Sequence, residues 1–176
     1  SNLLKMPDQL IFIHLPKCGG STFHHILDRI YEPAEIINLN PDANFKVDLS
    51  PYTHLSKEEK EKVKLFKGHV PFGLHEQLSG KSQYLTFLRD PIERIISYYY
   101  YLKREKNHRL YQINLFHEDM SLYDFVSTIN QGDVHNGQIR FISGIRDKEE
   151  LMLEKALENI KKHFSSNFFR FAINNF

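Results

Sequence analysis

The stretch from Leu10 to Phe23, LIFIHLPKCGGSTF, constrains the fold more than any other part of this chain. A short apolar run bounded by Pro16 and Gly19 fits a strand buried on both faces. Gly19 and Gly20 accept unusual dihedrals and let backbone N–H groups come close to a ligand. Ser21 or Thr22 is placed to cap a helix that continues through Phe23, Ile26, Leu27 and Ile30. A helix start with free N–H groups, a positive dipole end and Lys17 beside it makes an anion site. Taken alone, the same residues describe an ordinary capped strand-to-helix turn with an incidental lysine equally well.

The rest of the chain continues the alternation. Glu35–Leu39 reads as a short strand, and Asn40–Leu55, rich in Pro, Asp, Asn and Ser, as a loop. Ser56–Glu59 is a capping box that opens a charged helix to about Lys64. Leu65–Val70 and Tyr84–Leu88 are further strands, the latter running directly into Arg89-Asp90-Pro91. Pro91 suits the first position of a helix reaching Tyr101 or beyond. Ser121 caps a helix over Leu122–Ile129, and a long helix covers Lys148–His163. Strands alternating with helices predict an α/β fold, a short and mostly parallel sheet flanked by helices. At 176 residues this is one domain, able to bury about two-thirds of its unfolded surface.

Bulk properties remove several functions. A net charge of +1 gives no global field, so nothing supports a nucleic-acid partner. No run approaches the roughly 18 apolar residues of a membrane helix, and no signal-peptide pattern opens the chain. The expected location is therefore cytoplasmic, and the oligomeric state stays open. One cysteine, Cys18, excludes an internal disulfide framework and a structural zinc site.

A second motif tips the balance at the first. In FLRDPIERIISYYYY, Phe87–Tyr101, Ser97 follows Arg89 by eight residues. Arg89 would project from the carboxyl edge of its strand, where open α/β sheets bind ligands. A guanidinium fork and a hydroxyl two helical turns later make a clamp for a terminal phosphate. An Arg89 paired with Asp90 or Glu93 is the plainer alternative.

With these two motifs in this order, the chain resembles the sulfotransferase family, especially its carbohydrate branch of the heparan sulfate 2-O-sulfotransferase type. The resemblance runs with gaps from about Leu10 to Gly144 and includes GHVPFG at Gly68 and NGQIRFISG at Asn136. It implies a P-loop-like sulfotransferase fold with 3′-phosphoadenosine 5′-phosphosulfate (PAPS) as co-substrate, and with no metal. Lys17, Cys18, Gly19, Gly20, Ser21 and Thr22 would form the loop on the 5′-phosphosulfate. Arg89 and Ser97 would hold the 3′-phosphate. The acceptor would be a hydroxyl of a glycan or similar small molecule. Asn136, Gln138 and Arg140 stand by family position near that acceptor. Members of the family continue past the long helix with a strand and loop over the adenine. Ser165–Phe176 does not match that segment, so the expected domain, residues 1–176, lacks it.

The third site is Lys67-Gly68-His69 at the end of a strand. A histidine titrating near pH 6.5 can accept a proton at neutral pH. The resemblance makes His69 the catalytic base and Lys17 the residue that stabilises charge on the bridging oxygen. Lys67 stands where the resembling enzymes carry another histidine, so a two-histidine scheme is not carried over.

Rival readings remain at this stage. A P-loop small-molecule kinase would use Asp90 on magnesium, although Lys17 precedes its glycines where a Walker loop has lysine after them. A cysteine phosphatase would use Cys18, but the arginine expected six residues later is His24. A non-catalytic nucleotide-binding remnant of the sulfotransferase fold is the third. The basic stretch Lys103, Arg104, Lys106, His108 and Arg109 reads as a solvated complement to a helix end. Tyr98–Tyr101 should divide between core and groove, because four consecutive positions point around the whole helix.

Overall fold

The computed structural model describes residues 8–42, 46–129 and 134–164. Strands β1 (Gln9–Ile13), β2 (Ile36–Leu39), β3 (Leu65–Gly68) and β4 (Ser82–Thr86) form one sheet in the order β2-β3-β1-β4. Every pairing is parallel, with Ile11 opposite both Phe66 and Tyr84. The helices are α1 (Gly20–Ile30), α2 (Ser50–Thr53), α3 (Lys57–Lys62), α4 (Pro91–Arg104), α5 (Arg109–Gln112), α6 (Leu122–Thr128), α7 (Gly137–Ser143) and α8 (Glu149–His163). The predicted α/β class and parallel sheet are what the chain adopts. Among the described residues no helix is long and apolar enough to cross a membrane.

Alternation along the central strand explains the layers. Ile11 and Ile13 enter a core with Phe66, Tyr84, Phe141, Ile142 and Ala156, which brings α7 and α8 onto one face. Phe12 points the other way, into a cluster with Leu65, Leu85 and Leu27 of α1. With both faces covered, each fully buried side chain of β1 contributes about 1.5–3 kcal/mol. A third cluster, Tyr98, Tyr99 and Leu102 with Phe116, Met120 and Phe125, packs α4 against α6 and the segment before it.

Local chemistry sets most boundaries where the sequence put them. Ser56 and Glu59 form a reciprocal capping box on α3, and the Ser121 hydroxyl accepts from the Asp124 amide on α6. The strand expected over Tyr84–Leu88 instead spans Ser82–Thr86, so Phe87 and Leu88 separate it from Arg89. Three further features differ. Ser21 and Thr22 do not cap α1; Gly19, in the left-handed region with φ 79°, is the cap residue and the helix starts at Gly20. The expected loop before Leu55 contains the single turn α2, started where Ser50 donates to Asp48. The short helices α5 and α7 carry no clear start signal in the sequence. Ser165–Phe176, the segment weighed against an adenine cover, lies outside the described residues.

Candidate active site

The loop expected to bind an anion joins β1 to α1. Its helix carries no side-chain cap and no acidic residue in the first turn, so the opening N–H groups keep their donor capacity for an outside anion. Lys17 itself sits at φ 62°, a left-handed conformation that side chains rarely adopt. Contacts from outside hold this conformation at three successive residues. Arg94 Nε donates to the Pro16 carbonyl at 3.0 Å, and Arg89 Nη1 to the Lys17 carbonyl at 3.4 Å. The Cys18 thiol donates to Gln138 Oε1 at 3.4 Å.

The Lys17 ammonium lies 4.5 Å from the centre of the Tyr101 ring, a cation–π contact that fixes its direction. Burial, then the charges of Arg104 and Arg89, lower its pKa from the usual lysine value. Three cations crowded at the loop favour an arriving anion. Cys18 is buried, and burial pushes its thiol pKa up in spite of Arg94 and Arg89. That is the opposite of what a phosphatase nucleophile needs.

His69 reaches the same place from β3. The register sets Ile13 opposite Gly68, so His14 and His69 emerge side by side beyond the strand ends. Gly68 is required there: at φ 148° a Cβ would lie 1.6 Å from the Leu39 carbonyl oxygen. His69 Nδ1 is 2.6 Å from the His14 carbonyl oxygen. A carbonyl only accepts, so Nδ1 carries the hydrogen and the lone pair of the neutral ring is on Nε2. The His14 ring stacks on His69 with centroids 4.7 Å apart. Burial, followed by His69, His24 and Lys67, lowers the His14 pKa to about 4, so His14 is uncharged at neutral pH.

Lys67 does not share this role. Its side chain is fully buried, with Nζ 2.5 Å from Asp28 Oδ1 and 3.2 Å from the His24 carbonyl, both on α1. It ties the helix to the sheet beneath the loop.

A cavity of about 470 Å³ opens over these groups, lined by Lys17, Ser21, His14 and His69 on one side and by Tyr98, Tyr101, His108 and Arg109 on the other. A recess of about 300 Å³ shares His14, Ser21, Asn40 and His69 and extends to His24 and His25. Of the predicted site residues, the main cavity therefore gathers Lys17, Ser21 and His69. Cys18 and Gly20 are buried under the loop, while Gly19 and Thr22 are exposed on it.

The second predicted pair is only half assembled. Arg89 reaches the loop through the Lys17 carbonyl and also meets Glu93, Nε to Oε2 at 3.5 Å. That exposed pair is worth little and is easily exchanged for a stronger anion. Ser97 is half-buried on α4, and neither it nor Arg89 lines the main cavity. Asp90, the residue a kinase would place on magnesium, caps α4 by accepting from the Ile92 and Glu93 amides.

The basic stretch divides in a way its composition did not reveal. Lys103 and Lys106 turn to Glu118, whereas Arg104 acts on Lys17 and His108 and Arg109 line the cavity. The tyrosines divide as expected: Tyr98 and Tyr99 are buried, Tyr100 is exposed and Tyr101 faces Lys17.

A family model described as Sulfotransferase family matches residues 3–164. The chain belongs to the sulfotransferase family. It is 33% identical over 96 residues to a protein-tyrosine sulfotransferase of Arabidopsis thaliana, covering 53% of this chain and 17% of that protein. It is 28% identical over 109 residues to a heparin sulfate O-sulfotransferase of Drosophila melanogaster, covering 57% and 31%. Against sulfotransferase 1A1 of Rattus norvegicus it is 26% identical over 147 residues, covering 77% and 47%. The chain thus spans less than half the length of these relatives.

Three residues of this sulfotransferase chain escaped motif reasoning. His14 reads in sequence only as the end of an apolar run, and its pairing with His69 depends on strand order. Arg94 is a buried arginine among isoleucines, a pattern that signals a polar anchor in hindsight. Gln138, set near the acceptor by resemblance, contacts Cys18 and Arg89 through its side chain.

Proposed function

We propose that this chain transfers a sulfuryl group from PAPS to a hydroxyl of a carbohydrate or similar acceptor, with residues 1–176 acting as one domain. The observation that carries the reading is the meeting of three unlike groups on one cavity: the uncapped start of α1, the Lys17 ammonium and the free nitrogen of His69. Each supplies what the transfer requires. The N–H groups of the first turn offset charge on the peripheral oxygens of the sulfuryl group. Lys17 offsets charge on the bridging oxygen as its bond to sulfur breaks. His69 Nε2 takes the proton of the hydroxyl whose oxygen forms the new bond to sulfur. Arg89, tied to the back of the loop, grips the 3′-phosphate, with Ser97 as its partner on α4. Catalysis is then mainly positioning and charge stabilisation.

The match to a heparin sulfate O-sulfotransferase supports a glycan acceptor, and Tyr98, Tyr101, His108 and Arg109 give the cavity aromatic faces and donors suited to one. Incubation with ³⁵S-labelled donor and a panel of glycan and phenolic hydroxyl acceptors tests the reading. Label should pass to a glycan; absence of transfer to any hydroxyl by a chain that binds the donor would refute it.

A further inference from the structure

Gln138 lies in the first turn of α7, and the two residues before it explain how it arrives there. Asn136 adopts a left-handed conformation, φ 52°, that turns the chain into the helix. Gly137 packs directly on Arg94: a Cβ at this position would sit 3.2 Å from both terminal guanidinium nitrogens. The missing side chain lets α7 settle onto the arginine that anchors Pro16. The Gln138 amide then faces the turn at Arg89 and the underside of the anion loop.

Its contacts form a closed set. Oε1 accepts from the Arg89 amide at 2.9 Å and from the Cys18 thiol at 3.4 Å. Nε2 donates to the Arg89 carbonyl at 2.9 Å. The side chain thus pairs with both backbone groups of one residue, as a neighbouring strand would. One oxygen with two lone pairs joins that residue to the loop. Among side chains only a primary amide of this length supplies both the acceptor and the donor.

We propose that Gln138 is a positioning residue that fixes the spacing between the anion loop and the Arg89 turn, and thereby the separation of the two anion grips. The inference rests on the donor reading above for its nucleotide, and on geometry alone for the clamp. Gln138→Met keeps the bulk and removes every hydrogen bond. Gln138→Glu keeps the acceptor but sets an oxygen against the Arg89 carbonyl. Gln138→Asn falls one methylene short.

Two readouts follow in variants shown to be folded by thermal unfolding. Cys18 is the one cysteine of the chain, so its alkylation by iodoacetamide reports loop opening without any nucleotide. In Gln138→Met that rate should rise about tenfold, the effect of losing the one hydrogen bond that ties the loop to Gln138. Calorimetry should show 3′-phosphoadenosine 5′-phosphate losing about tenfold in affinity while AMP, which lacks the 3′-phosphate, loses much less. A role limited to holding α7 in place would leave that ratio unchanged. An unchanged alkylation rate in folded Gln138→Met overturns the clamp. Faster alkylation in a protein whose wild type binds no nucleotide upholds the clamp and removes the donor reading alone.

Discussion

His69 Nδ1 lies 2.6 Å from the carbonyl oxygen of His14, and the two rings stack face to face. This single bond decides which nitrogen of His69 can act as a base. It also couples the end of β3 to the end of β1, one residue before the loop that carries Lys17 begins. His69 and the Lys17 loop are therefore fixed to adjacent strands of one sheet and cannot drift independently.

Replacing His69 by asparagine keeps an N–H for the His14 carbonyl and deletes the basic nitrogen. Turnover should fall by about 10²–10⁴, the usual contribution of a positioned base, while nucleotide affinity stays near wild type. Steady-state kinetics beside calorimetry check this. Near-normal turnover would remove His69 from the reaction.

Arg89→Lys retains charge but loses the planar fork. Affinity for 3′-phosphoadenosine 5′-phosphate should drop about 10- to 100-fold, as expected for charge-assisted hydrogen bonds, with AMP affected far less. Ser97→Ala should follow in the same direction with a smaller effect. Equal losses for both nucleotides would place the 3′-phosphate elsewhere.

The depressed His14 makes stability pH-dependent with a definite sign. Its folded value, about 4, lies below the ordinary 6.5, so between these limits the unfolded chain binds more protons. Stability therefore rises with pH across this window and falls on acidification through it. For a half-buried ring, solvent screening leaves an effect on the order of 1–2 kcal/mol. Urea unfolding at pH 7.5 and 4.5 should show wild type losing more stability than His14→Phe by this margin.

Lys67 and Asp28 should respond unequally. The lysine side chain is fully buried and the aspartate is 43% exposed. Asp28→Ala leaves a buried ammonium without its counterion, whereas Lys67→Met leaves a carboxylate that water can reach. Thermal unfolding should therefore show a larger drop in Tm for Asp28→Ala. The reverse order would mean that the pair does not anchor α1.

Local signals were read correctly where local physics decides. Apolar runs closed by Pro16 or Pro71 became strands, Pro91 opened α4, and Ser56 and Ser121 capped their helices, because each outcome depends on neighbours within a few residues. Lys17 and His69 were legible as candidates for the same reason. Contacts between distant residues were not. His14 beside His69 depends on β1 and β3 being neighbours in one register, which no single strand reveals. The cap at Gly19 replaced the expected hydroxyl because a left-handed glycine can turn the chain with no side chain at all. Helix α7 starts from Asn136-Gly137, a pair that ordinarily marks a turn, and it is held by long-range packing, with Phe141 and Ile142 in the core and Gly137 against Arg94. Gln138 acquired its position through that kind of long-range packing.

A site that grips an adenine nucleotide at two separate anionic groups should show itself in calorimetric titration of the wild-type chain. Injected with EDTA present, 3′-phosphoadenosine 5′-phosphate should bind to a single site and more tightly than AMP. Saturable binding of ATP that requires magnesium, with no binding of 3′-phosphoadenosine 5′-phosphate, would contradict the account.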